Sequence, residues 1–169
     1  MEQVFFINPV AGKRDASAEL VPRIQAAARQ LQLPQPQIVV TQYAGQAREA
    51  ARRYAASGTP VALYACGGDG TLNELVQGAA GSANVAVGCV PCGSGNDFVR
   101  SFGKREVFLN PENQLAGKTV SIDMIRTQHG DAVNICSVGF DAKVAAEMNY
   151  YKHLPFVSGE LAYTISLAK

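Results

Sequence analysis

Long apolar runs and concentrations of charge are both missing from this 169-residue chain. No stretch approaches the roughly 20 consecutive apolar residues of a transmembrane helix, so we expect no membrane-spanning segment. Residues 1–7 lack the basic flank and the length of a signal peptide. Charged residues make up only 17% of the chain and the net charge is +1, with basic residues scattered along it. This pattern argues against electrostatic binding of nucleic acid. We expect a cytoplasmic protein.

Cysteine is also scarce, with four residues in the chain. In a cytoplasmic protein these thiols are expected to be reduced. Cys89 and Cys92 have the C-x-x-C spacing of redox and metal sites, but the sequence has no second such pair and no histidine nearby. We interpret both as small apolar residues at the end of a strand. No set of metal-ligating side chains is predicted.

Apolar residues make up 47% of the sequence, enough for the core of one domain of ordinary size. Short apolar runs predict strands at residues 4–7, 38–41, 61–65 and 85–90. Helical periodicity predicts helices at residues 17–32 (kinked or restarted at Pro22), 46–56 and 72–77. Because apolar strands alternate with helices, we predict an α/β domain at residues 1–118, with a parallel sheet covered on both faces.

The pattern changes after about residue 118. Residues 120–126 alternate between apolar and polar, residues 129–131 predict a turn, and residues 132–138 predict a second short strand. This combination is typical of an antiparallel hairpin. We therefore expect a second, β-rich region at residues 119–169, with a mixed segment from residue 140 in which a short helix follows Gly159.

The stretch around which the chain is organised is Cys66-Gly67-Gly68-Asp69-Gly70-Thr71-Leu72-Asn73-Glu74, directly after a predicted strand. Its three glycines let the backbone turn sharply and expose its amide groups. Such amides, followed by a helix N-terminus, form an anion-binding site. Asp69 would repel a bare phosphate, but it is explained if a divalent cation or a hydroxyl proton lies between them. On the glycines alone, a turn with a surface acid is the alternative.

Two more glycine-containing loops follow other predicted strands. One is Asn8-Pro9-Val10-Ala11-Gly12-Lys13, whose basic residue could reach a phosphate. The other is residues 91–100. Because ligands of parallel sheets bind at the carboxyl ends of the strands, we expect the three loops to share one site. Two standard phosphate-binding patterns do not apply, since Glu112 replaces the first glycine of a Walker A loop before Gly117-Lys118-Thr119 and Phe98 replaces the last glycine of a dinucleotide fingerprint.

Three motifs, taken in order, closely resemble the catalytic domain of the diacylglycerol kinase family, specifically its bacterial soluble lipid kinases. They are Asn8-Pro9-x-x-Gly12-Lys13, Gly67-Gly68-Asp69-Gly70-Thr71-x-Asn73-Glu74 and Pro91-x-Gly93-Ser94-x-Asn96-Asp97-Phe98-x-Arg100. A later stretch, Asn134-x-x-Ser137-x-Gly139-Phe140-Asp141-Ala142, resembles the start of that family's second domain. The resemblance implies a phosphofructokinase- and NAD-kinase-like ATP-binding domain followed by the incomplete start of a β-sandwich domain.

The resemblance also implies a reaction, namely Mg²⁺-assisted transfer of the γ-phosphoryl group of ATP to a lipid hydroxyl, such as that of diacylglycerol, at a membrane surface. We assign Asp69 the catalytic role of organising Mg²⁺ through water. Ser94 stands where the family usually has Thr, which keeps the hydroxyl. The residues implied to bind ATP are Asn8, Pro9, Val10, Ala11, Gly12, Thr41, Gly67, Gly68, Asp69, Gly70, Thr71, Leu72, Asn73 and Ser94.

Some of these side chains have other interpretations. Thr41 could simply be a strand former. Asn96 and Asp97 could cap the following helix instead of contacting phosphate. Arg100 could pair with Asp97 or with phosphate, or it could be a solvated helix residue.

In the family, the second domain supplies a carboxylate general base and a structural metal site, both downstream of residue 169. Asp123 and Asp141 are too early to match them. We therefore expect impaired lipid turnover from this chain, and we expect its unpartnered second-domain strands to pair with another copy or to remain mobile. The alternatives are an NAD kinase or another small-molecule kinase with the Gly-Gly-Asp-Gly loop, and a non-catalytic nucleotide-binding fragment.

Overall fold

The computed structural model describes residues 1–12 and 14–151. Two compact units are present, one from Met1 to Asn134 and one that starts at Ile135. The first unit contains β1 (Glu2–Ile7), α1 (Ser17–Gln30), β2 (Gln37–Val40), α2 (Gln46–Ser57), β3 (Val61–Gly67), α3 (Asp69–Ala79), β4 (Val85–Pro91), α4 (Asp97–Arg100), α5 (Arg105–Leu109), α6 (Pro111–Ala116), β5 (Ile125–Thr127) and β6 (Gly130–Ala132). The described part of the second unit contains α7 (Phe140–Tyr151).

A four-stranded parallel sheet in the order β2-β1-β3-β4 lies at the centre of the first unit. Every residue of β3 is buried, as expected for an apolar strand inside a parallel sheet. The strands end almost level with one another, because Ile7 pairs with both Val40 and Cys66, and Gly67 pairs with Pro91. The predicted α/β fold with a parallel sheet is confirmed.

Helices cover both faces of the sheet. On one face, Phe6, Leu63 and Ala65 pack in the same core cluster as residues of α2 and α3. On the other face, the rings of Phe5 and Tyr64 stack with their centroids 4.3 Å apart, in a cluster with residues of α1 and α6. The alternation of side chains along each strand therefore divides the apolar residues between two cores.

The helices differ from the sequence prediction at their ends. α1 runs from Ser17 through Pro22, so the proline does not restart the helix. α3 begins at Asp69 and not near Leu72, because the carbonyl of Gly68 already accepts hydrogen bonds from the amides of Thr71 and Leu72. α4 was anticipated only as the helix that Asn96 and Asp97 could cap, and α5 and α6 were not predicted. All three are four to six residues long, too short for helical periodicity to reveal them.

The predicted hairpin after residue 118 is much shorter than expected. Its strands, β5 and β6, are antiparallel and contain three residues each, and the prediction of a strand over residues 132–138 is wrong beyond Ala132. Residues 117–124 form no regular structure. Their alternating apolar side chains are exposed, at 69% for Val120 and 40% for Ile122, so the pattern has no surface against which to pack.

The second unit provides a further difference. α7 occupies residues for which the sequence predicted only a mixed segment. The short helix expected after Gly159 lies outside the described residues. The division of the chain at residue 118, the β-rich nature of the second domain and pairing with another copy stay predictions. Within the described residues, no helix has both the length and the apolar character needed to cross a bilayer.

Candidate active site

Three loops lie at the carboxyl edge of the sheet, around the N-terminus of α3. Loop A (residues 8–12) follows β1, loop B (residues 41–45) follows β2, and loop C (residues 92–96) follows β4. Each loop is bonded to the neighbouring strand end. The amide of Asn8 donates to the carbonyl of Cys66 at 2.9 Å, that of Thr41 to Ile7 at 2.8 Å, and that of Cys92 to Gly67 at 2.9 Å. The edge of the sheet therefore brings together loop A, loop C and residues 67–74, the three loops that the sequence predicted, and adds loop B, of which only Thr41 was predicted.

Loop C is held by Asp69, in the first turn of α3. One carboxylate oxygen of Asp69 accepts a hydrogen bond from the backbone amide of Asn96 at 2.7 Å, and the other accepts one from the amide of Phe98 at 3.4 Å. These amides belong to the start of α4, where helical donors have no partner inside the helix. Asp69 therefore caps α4 from outside, in place of a side chain of α4 itself.

The turn between β3 and α3 packs backbone to backbone against loop C. Gly68 has a φ of −97°, so the turn does not depend on a conformation reserved for glycine. The constraint on glycines in this turn and in loop C is the space available for a side chain. A Cβ on Gly93 would lie 2.5 Å from the Cα of Gly68, and a Cβ on Gly67 would collide with the side chain of Thr71. Glycine is therefore needed at these two positions for close approach.

Loop A is held by Thr71. The side-chain amide of Asn8 donates to the hydroxyl oxygen of Thr71 at 3.1 Å. The side-chain carbonyl oxygen (Oδ1) of Asn8 accepts a hydrogen bond from the backbone amide of Val10, also at 3.1 Å. Gly12 has a φ of +85°, and a Cβ there would collide with the carbonyl of Cys92 in loop C. Lys13, predicted to reach a phosphate, lies outside the described residues.

Loop B is held by Glu74, one turn after Thr71 in α3. Its Oε1 atom accepts a hydrogen bond from the amide of Gly45 at 2.9 Å. Glu74 was part of the quoted motif, but no role was predicted for it. The spacing of Asp69, Thr71 and Glu74 within two helical turns is what lets one helix hold three loops.

The residues predicted to bind ATP differ in accessibility. Leu72 packs in the core with Val99, and Thr71 is buried with its hydroxyl bonded to Asn8. Five of the residues are exposed, namely Val10, Gly12, Gly70, Asn73 and Ser94. Five are half-buried, namely Asn8, Pro9, Thr41, Gly68 and Asp69. Four are buried, namely Ala11, Gly67, Thr71 and Leu72.

The alternatives at loop C and α4 have clear outcomes in the structure. The guanidinium of Arg100 pairs with Asp97 at 2.9 Å on the surface. Asn96 occupies the N-cap position of α4 with a φ of 57°, but its side chain donates to the carbonyl of Gly93 and does not cap the helix. Asn96 thus stabilises the turn of loop C, in the left-handed conformation that asparagine tolerates.

The two cysteines of the C-x-x-C pair lie in environments that disfavour the reactive thiolate form. Burial, together with a smaller effect of the negative charge of Asp69, raises the pKa of Cys89 to about 12. Burial also raises the pKa of Cys92. Since the thiolate is the reactive form, both side chains are expected to be unreactive at neutral pH.

The metal-binding capacity of this edge is limited. Within the described ranges, no three His, Cys, Asp or Glu side chains cluster closely enough to hold a metal ion. Mg²⁺ commonly keeps several waters and is bound through one or two carboxylates together with substrate phosphates. Asp69 fits that mode, because each of its oxygens accepts one hydrogen bond here and has a further acceptor site.

The cavities of the first unit do not by themselves mark the site. A cavity of about 400 Å³ lies beside α2, lined by residues that include Phe6, Arg53 and Tyr54. A cavity of about 10 Å³ lies at the loops and is lined by residues that include Asp69 and Phe98.

The family follows from comparison with known proteins. Residues 2–127 match the diacylglycerol kinase catalytic domain. The chain belongs to this family. Diacylglycerol kinase of Bacillus subtilis is 30% identical over 126 residues, which cover 73% of this chain and 41% of that protein. A probable lipid kinase, YegS-like, of Pseudomonas aeruginosa is 32% identical over 161 residues, covering 93% of this chain and 46% of that protein.

A solved structure supports the same assignment. The crystal structure of a diacylglycerol kinase from Bacillus anthracis matches with a TM-score of 0.52 and 26% identity, covering 68% of this chain and 41% of that one. The resemblance predicted from the three motifs is confirmed. This family member spans between 28% and 48% of the length of such curated relatives.

Proposed function

We propose that this chain provides the ATP-binding part of a lipid kinase that transfers the γ-phosphoryl group of ATP to a lipid hydroxyl, such as that of diacylglycerol, at a membrane surface. The observation that carries the proposal is the convergence of loops A, B and C at one sheet edge, each bonded to the first two turns of α3. Membership of the diacylglycerol kinase catalytic domain family supports the choice of reaction.

The phosphates of ATP would bind at the N-terminus of α3. This helix has 11 residues, so its unpaired amides and its dipole favour an anion there. Gly68 and Gly70 have no side chain to block close approach, and the exposed Asn73 and Ser94 offer short polar groups for orientation. Phosphoryl transfer depends mainly on positioning and on neutralisation of charge, which matches a site built from fixed loops.

Asp69 would take part in holding Mg²⁺ through water while its carboxylate keeps loop C in place. Bound Mg²⁺ supplies neutralisation of the phosphate charge. The proton of the acceptor hydroxyl must pass to a base, and the resemblance implies that the family places this carboxylate in a part of its second domain that has no counterpart in residues 1–169. The lipid acceptor and peripheral membrane binding belong to the same proposal.

Nucleotide titration and a phosphorylation assay test this function. We expect the chain to bind ADP and ATP more tightly with Mg²⁺, as measured by calorimetry, and Ser94→Ala to weaken binding more than Ser101→Ala, an exposed serine after α4. Labelled ATP offered with diacylglycerol vesicles, NAD and fructose 6-phosphate should label only phosphatidic acid. Failure to bind nucleotide, or label in either soluble acceptor, would contradict the proposal.

A further inference from the structure

The side chain of Glu74 reaches from the second turn of α3 to the backbone of loop B. Its bond with the Gly45 amide, 2.9 Å long, joins residues 29 positions apart in the sequence. Glu74 is half-buried, so it is not simply a solvated charge on the helix surface. The bond connects the glycine-motif segment with the loop that begins at Thr41.

Loop B has other hydrogen bonds, but they do not fix it relative to α3. The amide and the hydroxyl of Thr41 both donate to the carbonyl of Ile7, at 2.8 and 3.3 Å. Within the loop and α2, the amide of Gln42 donates to the side chain of Gln46. Among the hydrogen bonds of the described residues, the one from Gly45 to Glu74 alone ties loop B to α3.

The packing of α2 against α3 keeps this bond within reach. Gly78 lies one turn beyond Glu74, and a Cβ on it would collide with the carbonyl of Arg48 and with Ala51. The two helices therefore approach closely at Gly78, and Gly45, at the N-terminus of α2, comes beside Glu74. Gly45 has a φ of +92°, a conformation that the bond helps to maintain.

We infer that Glu74 is a positioning residue for nucleotide binding, which holds loop B and Thr41 beside the N-terminus of α3 through its acceptor oxygen and not through its charge. Thr41 begins loop B and its hydroxyl donates to the carbonyl of Ile7, so a displacement of loop B that breaks this bond would move a predicted nucleotide contact. This inference rests on the proposed function, because it takes a nucleotide as the ligand of the edge.

Two conservative substitutions separate the acceptor from the charge. Glu74→Gln keeps a carbonyl oxygen at the same reach and removes the charge. Glu74→Asp keeps the charge but shortens the side chain by one methylene group, which moves the acceptor oxygen away from Gly45. We expect Glu74→Gln to change the Kd for Mg·ADP by less than about threefold and Glu74→Asp to weaken binding about tenfold, the size of one lost hydrogen bond. Glu106, exposed in α5, supplies the matched controls Glu106→Gln and Glu106→Asp.

Hydrogen exchange of the Gly45 amide gives a second readout that does not depend on ligand. We expect faster exchange at Gly45 in Glu74→Asp and unchanged exchange in Glu74→Gln, with circular dichroism showing that both variants fold. Weakened nucleotide binding in Glu74→Gln, or normal binding in Glu74→Asp, would overturn the inference while the proposed function stands. If the unaltered chain binds no nucleotide, the proposed function fails and the inference fails with it.

Discussion

The carboxylate of Asp69 accepts a hydrogen bond from the backbone amide of Asn96 at 2.7 Å, and this bond joins the first turn of α3 to loop C. The second oxygen of Asp69 accepts a hydrogen bond from the backbone amide of Phe98 at 3.4 Å. An acid in a glycine-rich loop that is proposed to bind phosphate is unexpected on electrostatic grounds, and this geometry gives it a structural role independent of any ligand. Hydrogen bonds from amides to a charged acceptor are among the stronger ones in proteins.

Replacing Asp69 by Asn tests this dual role. Asparagine offers one carbonyl oxygen for two amides and carries no charge, so we expect ADP affinity to fall about tenfold and to depend less on Mg²⁺. Calorimetry with and without Mg²⁺ measures both effects. Asp15→Asn is the matched control, since Asp15 is an exposed acid whose carboxylate accepts the amide of Ser17 in the same manner. Equal ADP affinity with and without Mg²⁺ in both wild type and Asp69→Asn would contradict the role of Asp69.

Gly93 and Gly70 offer a matched pair for testing the close approach of loop C. A Cβ on Gly93 would lie 2.5 Å from the Cα and 2.9 Å from the amide nitrogen of Gly68, whereas a Cβ on Gly70 meets nothing within 4 Å. We expect Gly93→Ala to lower the free energy of unfolding by about 1–3 kcal/mol through overpacking. Gly70→Ala, inside a helix, should raise it by about 0.5–1 kcal/mol. Urea unfolding compares them, and equal stabilities would show that loop C does not need glycine for space.

The bond between Asn8 and Thr71 predicts a contrast between two substitutions of Thr71. Thr71→Ser keeps the hydroxyl oxygen that accepts from Asn8, whereas Thr71→Val keeps the shape and removes the acceptor. Since Thr71 is buried, we expect Thr71→Val to destabilise the protein by about 1–3 kcal/mol, because the Asn8 donor is left without a partner. Thermal unfolding of both variants measures this. Greater destabilisation by Ser than by Val would mean that the methyl group matters more than the hydroxyl.

The sequence predicted the sheet well because its signal is local. Short apolar runs such as residues 61–65 are typical of strands that are buried between two layers of helices. Such runs therefore predict both the positions of the strands and their parallel direction. The start of α3 was missed because Gly68 and Gly70 have low helix propensity, which the hydrogen bonds to the Gly68 carbonyl override. α6 could have been found, because Asn110 followed by Pro111 is a helix-start signal, and the Asn110 side chain does accept the amide of Glu112.

The candidate site was predicted as a set of loops but not as a network of bonds. The motifs predicted that loops A and C share one edge of the sheet with residues 67–74, whereas loop B entered the prediction only through Thr41. The role of Glu74 could not be predicted, because Gly45 lies 29 residues away and only the packing of α2 on α3 brings the two together. The strand expected at residues 132–138 failed for a related reason, since an alternating pattern shows a preference for a surface but not that a partner is present.

Alkaline pH should weaken the fold through Cys89. Burial raises the pKa of this thiol to about 12 from an ordinary value of 9.0, so the unfolded state releases the proton at lower pH than the folded state. Its stabilising contribution is complete below about pH 9 and is lost progressively toward pH 12. We expect the melting temperature to fall more between about pH 7 and about pH 10.5 in the wild type than in Cys89→Ala, each relative to its own value at neutral pH. Equal falls would show that another group dominates.

The last prediction concerns lipid turnover by a polypeptide of these 169 residues. The first unit contains loops A, B and C, so we expect nucleotide binding by this polypeptide. Asp69 is bonded to two amides and Asp97 to Arg100, so both acids already hold local structure, and neither is assigned as the base that receives the acceptor proton. A missing general base typically lowers a rate by about 10²–10⁴.

Formation of labelled phosphatidic acid from ATP and dispersed diacylglycerol measures this rate, with a full-length family member as the positive control. We expect turnover by the 169-residue polypeptide to fall short of that control by at least about 10², although its affinity for Mg·ADP is measurable. Turnover that approaches the control would mean that an acid of the described residues accepts the proton. Asp69→Asn and Asp97→Asn would then identify it, because only loss of the true base would abolish turnover while ADP still binds.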